Sequence, residues 1–246
     1  MMSEVETHNV GSVLVISRDS VASGQISDVL QGHALSVETS VDISAALDRI
    51  FRRRFESVIV DLSMGEQTND FLQRIRASAS NRTSVTFAIT RGSDETASAL
   101  KQGFSFALER PLTPESITHT IKVAYGLIVR ERRRYFRYPV AVPVVLNGKA
   151  ASEIFGQSLN VSERGMALST AIPLAVGLEG RTQFTLPDPS LQVTAEFRVC
   201  WNNVKGDAGL SFLFMPFDIA SELQAWLAHK LEEQLPQSVT DRFRAQ

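Results

Sequence analysis

Cysteine is nearly missing from this chain. Cys200 stands alone, so no internal disulfide framework can form, which fits a reducing compartment. Histidine is sparse as well: His8, His33, His119 and His229 are scattered without metal-ligand spacing. There is no glycine-rich loop to cradle phosphate, and no nucleophile comes with an identifiable base. These absences argue against an enzyme and against a resident metal or cofactor. No apolar run reaches the length of a bilayer span, and the polar opening MMSEVETHNV lacks the basic and apolar regions of a signal peptide. A soluble, cytoplasmic protein is expected. An excess of one charge is also lacking, because 25 Lys and Arg face 27 Asp and Glu for a formal net charge of −2. That balance disfavours broad electrostatic binding to nucleic acid or membrane and makes any arginine cluster a local feature.

What is there is enough for two packed cores. The 246 residues exceed one typical domain, and 43% are hydrophobic. In the first half, short apolar runs at Val13–Ile16, Val58–Val60, Val85–Ile89 and Phe104–Leu108 alternate with helical patterns, and Val37 marks a further strand. Asp42 stands as an N-cap before Ala45, Ala46, Leu47, Ile50 and Phe51, read as one helical face, and Ala97 and Leu100 lead to a helix stop at Gly103. Alternation of this kind predicts a doubly wound α/β domain with a parallel sheet covered on both faces. Function in such sheets gathers at the carboxyl ends of the strands, which here present Asp19, Asp61, Thr90 and Arg110.

This order resembles a response-regulator receiver domain over residues 10–128. The resemblance puts Asp61 at the phospho-acceptor position, Thr90 at the switch hydroxyl, and Arg110-Pro111 where the family has Lys-Pro. The chain departs from the pattern after the first strand, where the family carries an acidic pair for Mg²⁺ and this sequence has Ser17 and Arg18, with only Asp19 nearby. A hard divalent ion there loses an anionic ligand and meets like charge. The reading is a pseudo-receiver with a degenerate pocket, in which Arg18 and Arg110 are both candidates to pair with Asp61.

Thr113-Pro114-Glu115 is a helix start, and Ile117, Ile121, Ala124 and Ile128 form a stripe on a helix that continues toward ERRRYFRYPV at 131–140. The pattern then changes to period two. Val140, Val142, Val144 and Leu146 alternate up to a turn at Asn147-Gly148; Val193, Ala195, Phe197, Val199 and Trp201 alternate later, which puts Cys200 on the polar face. Met166–Leu168 and Leu210–Phe214 add strands. Many short strands separated by turn residues predict a small antiparallel β-barrel, followed by a helix that Asp218 caps and that carries Ile219, Leu223, Trp226, Leu227 and Leu231. The tail after Pro236 reads as frayed.

Arg133 and Arg137 stand at i and i+4, with Arg132 and Arg134 beside them, where the helix pattern gives way to strand. A polar turn, Asn160-Val161-Ser162-Glu163-Arg164-Gly165, follows. Guanidinium forks suit phosphates and guanine edges. Asn160 can donate and accept, Ser162 brings a hydroxyl, and Gly165 permits a positive φ or a close approach. Together the two stretches resemble the PilZ signature, Arg-x-x-x-Arg then Asp/Asn-x-Ser-x-x-Gly, over residues 129–235. The resemblance implies a cyclic di-GMP receptor, with Arg132, Arg133, Arg137, Asn160, Ser162 and Gly165 at the ligand and a further protein partner, still unidentified, acting through the pseudo-receiver. Alternatives are a phosphorylation-dependent response regulator and an adaptor that serves only protein contacts. Asn160 in place of Asp offers a guanine N–H a neutral acceptor, weaker than a carboxylate.

Overall fold

The computed structural model describes residues 11–65, 68, 70–148 and 153–234. His8 and the tail after Pro236 lie outside them. The chain separates into two compact units, with the division between Arg132 and Arg133 and the second unit ending at Gln234.

In the first unit the strands β1 (Gly11–Ile16), β2 (Leu35–Ser40), β3 (Ser57–Asp61), β4 (Val85–Thr90) and β5 (Phe106–Glu109) form one parallel sheet in the order β2-β1-β3-β4-β5. That is the flavodoxin-like doubly wound order, whose switch point lies between β1 and β3. Alternation along each strand splits the apolar side chains between two cores. Val13, Val15, Ile59, Phe87 and Ile89 face one way, against Ile26 and Leu30 of helix α1 (Ser20–Gln31) and Ile117, Ile121, Ala124 and Ile128 of helix α5 (Pro114–Tyr135). Leu14, Ile16, Val58, Val60 and Ala88 face the other way. They meet helices α2 (Ile43–Arg52), α3 (Phe71–Ala77) and α4 (Ser93–Gln102).

Asp42 does cap α2, its side chain accepting from the Ala45 N–H. The buried stripe of α2, however, is Ile43, Ala46, Leu47 and Ile50. Ala45 is exposed because it lies about 100° around the helix from the nearest stripe residue, and Phe51 is 58% exposed at the edge of the stripe in the last turn. In α4 likewise Ala99 is buried, while Ala97 and Leu100 face outward. Gly103 ends α4 with φ of +104°, in the left-handed region where glycine carries no Cβ penalty.

The second unit is a closed antiparallel barrel of β6 (Pro143–Gly148), β7 (Ile154–Ser162), β8 (Gly165–Thr170), β9 (Glu179–Leu186), β10 (Leu191–Asn202) and β11 (Asp207–Phe214), in the order β10-β11-β8-β7-β6-β9. Closure leaves no unpaired edge along the barrel wall. Val144, Leu146, Val161, Met166, Leu168, Phe184, Val193, Phe197, Val199 and Leu210 fill the interior. Helix α6 (Phe217–Glu233) lays Leu223, Trp226, Leu227 and Leu231 on this core, and the Trp226 indole N–H donates to the Pro187 carbonyl at 2.9 Å.

Three details differ from the sequence reading. Asn147 and Gly148 are not a turn; they extend β6 and pair with Arg181 and Gly180. Trp201 leaves the inward row and is 46% exposed, because the β10–β11 register shifts between Val199 and Trp201. Pro216, not Asp218, is the residue before α6; Asp218 sits in the first turn, where its charge suits the helix dipole. Cys200 is exposed, as its place in the alternation requires. No described helix is long and apolar enough to cross a membrane.

Candidate functional site

The arginine arm is placed by the aromatic residues between its arginines. Phe136 is buried in the barrel core, and Tyr138 packs edge-on to Trp226 with ring centroids 5.3 Å apart. Two inward aromatics at period two leave Arg137, between them, facing solvent. The backbone of Tyr138 then pairs with Val161 of β7 in both directions, at 2.8 and 2.9 Å. This bridge sets Arg137 beside Asn160, whose Oδ1 accepts from the Arg137 guanidinium at 3.2 Å. The two halves of the signature, 23 positions apart, therefore meet at an exposed guanidinium and amide.

The second half of the signature is the β7–β8 hairpin. The Ser162 hydroxyl is buried and donates to the Gly165 carbonyl at 2.9 Å, closing the turn. Gly165 is required by packing rather than by its φ angle, since a Cβ there would overlap the Leu210 carbonyl of β11. Glu163, within the turn, is half-buried. Burial pushes its carboxyl group up, against the pull of Arg164, a hydrogen bond from the Gln224 side chain of α6, and the charges of Arg134 and Arg133. Arg133 is ion-paired with Glu232 of α6 at 3.2 Å. Neither Glu232 nor Gln224 stood out in the sequence; the only local sign was their place beside the buried residues Leu231 and Leu223.

Arg132 is the exception among the arm residues. Its guanidinium lies 4.0 Å from Glu56 of the first unit, a carboxylate only 2% exposed that also meets Arg54 and accepts from the Ser12 N–H. Arg132 thus pairs within the first unit. A carboxylate so buried needs nearby cations and donors, and Arg132 supplies one.

A second cluster occupies the switch point of the parallel sheet. Asp61, at the end of β3, is 1% exposed. Its Oδ2 accepts from the Ser17 hydroxyl at 2.6 Å and from Arg110 at 2.8 Å, and its Oδ1 accepts from the Ser63 N–H at 3.0 Å. Burial pushes the Asp61 carboxyl group up. The hydrogen bonds from Ser17 and Ser63, with the Arg110 charge, outweigh burial and hold it below the ordinary value.

The other Arg110 nitrogen bonds Asp19 at 2.7 Å, while Asp19 also caps α1 by accepting from the Val21 and Ala22 N–H groups. One guanidinium fork therefore spans both carboxylates. Arg18 is exposed, so of the two candidate counter-ions Arg110 fills the place. The Ser17 hydroxyl, noted in the sequence only as a missing carboxylate, is a direct ligand of Asp61. Thr90 is buried and shares a 2.7 Å hydrogen bond with Thr96, which in turn donates to Glu109. Among the described residues no group of three or more His, Cys, Asp or Glu side chains is arranged to hold a metal ion.

No curated protein matches the chain. The N-terminal region matches receiver structures: the chemotaxis response regulator CheY4 of Vibrio cholerae, at 22% identity and TM-score 0.42, covers 46% of this chain and 96% of its own. A response regulator from Chloroflexus aurantiacus, at 18% identity and TM-score 0.44, covers 49% and 98%. The inhibitor of motility MotI/DgrA of Bacillus subtilis, at 20% identity and TM-score 0.34, covers 39% of this chain and 50% of its own. The family model described as the PilZ domain matches residues 131–229. From the arginine arm through most of α6, these residues are a PilZ domain.

Proposed function

We propose that the chain is a cyclic di-GMP receptor whose PilZ domain binds the nucleotide and whose receiver-like unit serves as a protein-interaction module for a partner. The observation that supports this best is the pairing of Arg137 with Asn160 at the surface, created by the Tyr138–Val161 bridge. A guanidinium fork can hold a phosphate or the Hoogsteen edge of a guanine through two parallel hydrogen bonds. The adjacent amide can pair with a second guanine edge, and Arg133 and Arg134 extend the basic surface along α5. Ser162 and Gly165 support the ligand from the turn, the hydroxyl by holding the hairpin closed and the glycine by letting β8 and β11 approach.

In this reading the receiver-like unit does not act by Mg²⁺-dependent phosphorylation. Arg110 lies where a divalent ion would have to neutralise Asp61 and Asp19. Helix α5 supplies core residues to the first unit and arginines to the second. Its consecutive residues Arg132 and Arg133 pair within different units, so rearrangement of the arm by ligand is felt along the helix that packs on the parallel sheet.

The test is calorimetric titration of the full chain with cyclic di-GMP, with GTP and cyclic AMP as controls. Saturable heat is expected with cyclic di-GMP alone. Arg137→Ala removes a contact worth about 1–3 kcal/mol, so affinity should fall roughly five- to hundred-and-fifty-fold. A folded chain that gives no heat with cyclic di-GMP would refute the proposal.

A further inference from the structure

The terminal helix reaches both halves of the signature. Leu223, Trp226, Leu227 and Leu231 hold α6 on the barrel. On a neighbouring stripe of the same helix, Gln224 lies beside Glu163 of the β7–β8 turn, and Glu232 takes up the guanidinium of Arg133 at 3.2 Å. Gln224 and Glu232 are two turns apart, so both links follow from a single seating of the helix. Arg133 and Glu232 are each partly exposed, with side-chain accessibilities of 36% and 25%. The pair can therefore be opened by a competing anion without exposing core.

We infer that Glu232 is an affinity-setting residue: a resident carboxylate that competes with the ligand's phosphate for Arg133. The inference rests on the cyclic di-GMP reading above. An N–H that donates to Glu232 cannot donate in the same direction to a phosphate oxygen. Binding must therefore exchange one anion for another, and the net gain at Arg133 is the difference between them. The carboxylate also places a like charge beside the incoming phosphate, which removing the charge relieves.

The experiment compares the full-length chain with Glu232→Gln by calorimetric titration with cyclic di-GMP. Glu222→Gln, at an exposed position on the same helix, controls for net charge. Glu232→Gln should tighten binding about twofold to fivefold, the range available from a partly exposed ion pair. Glu222→Gln should leave the affinity unchanged, and the Glu232→Gln gain should vanish when Arg133 is alanine.

Unchanged or weaker binding by Glu232→Gln, while the parent still binds, would overturn this inference and leave the receptor reading standing. An equal gain from Glu222→Gln would overturn it too, by reducing the effect to general charge. Absence of binding by the parent would refute the receptor reading itself, and the competition at Arg133 with it.

Discussion

Replacing Arg110 with alanine tests whether the switch-point pocket is held by an ion pair in place of a metal. The change removes the charged partner of Asp61, a carboxylate 1% exposed in the parent, and leaves Ser17 and Ser63 as its remaining donors. Removing one partner of a fully buried pair costs about 3–5 kcal/mol. The Arg110 side chain is 27% exposed, so water can enter the space it vacates, and the cost assigned to Asp61 falls to about 1–3 kcal/mol.

The pH dependence has a definite sign. Burial raises the Asp61 pKa, but Ser17, Ser63 and Arg110 together bring it below 3.8. A carboxylate depressed in the folded state contributes stability that is complete above its unfolded pKa and is lost as pH falls through the folded one. Without Arg110 the folded pKa rises, so protonation relieves the variant at a higher pH than the parent. The stability gap should be constant near neutral pH and narrow as pH falls through the variant's folded pKa toward the parent's, which lies below the ordinary carboxylate value.

Both tryptophans, Trp201 and Trp226, lie in the second unit, so indole fluorescence does not report on this change. Denaturant-dependent amide exchange of β3 and β4 does. Asp61→Asn should cost less than Arg110→Ala, and the double variant should recover part of the loss. A gap below about 0.5 kcal/mol near neutral pH, or one that does not change with pH, would refute the ion-pair account.

Incubation with acetyl phosphate and Mg²⁺ should give no phosphoryl adduct by intact mass, and a stoichiometric adduct abolished by Asp61→Asn would show that Arg110 yields to a metal after all. Gly165→Ala should destabilise the barrel by about 1–3 kcal/mol, because the new methyl group must push β8 from the Leu210 carbonyl. Indole fluorescence during urea unfolding reads this directly, and a midpoint equal to that of the parent would remove the packing explanation for that glycine.

The parallel-sheet unit was readable from the chain because both faces of the sheet are covered. Runs such as Val13–Ile16 and Val58–Val60 are apolar on consecutive positions, and the helices between them carry stripes such as Ile117, Ile121, Ala124 and Ile128. Local periodicity sufficed there, since each element buries what its own repeat presents. That the arginine arm and the Asn160 turn belong to one site was what the resemblance to the PilZ signature implied, carried by two short stretches and their order along the chain.

Tertiary structure alone decided the partners. Nothing local tells that Arg110 rather than Arg18 reaches Asp61, that Ser17 donates to it, or that Arg132 turns to Glu56 while Arg133 meets Glu232, 99 positions away. Nor does alternation show that a register shift takes Trp201 out of the barrel row, or that Gly165 lies under Leu210. Periodicity states which face of an element is apolar. Which polar side chain pairs with which, and where a ladder slips by one residue, follows from the register between elements distant in sequence, and that register exists only once the cores have packed.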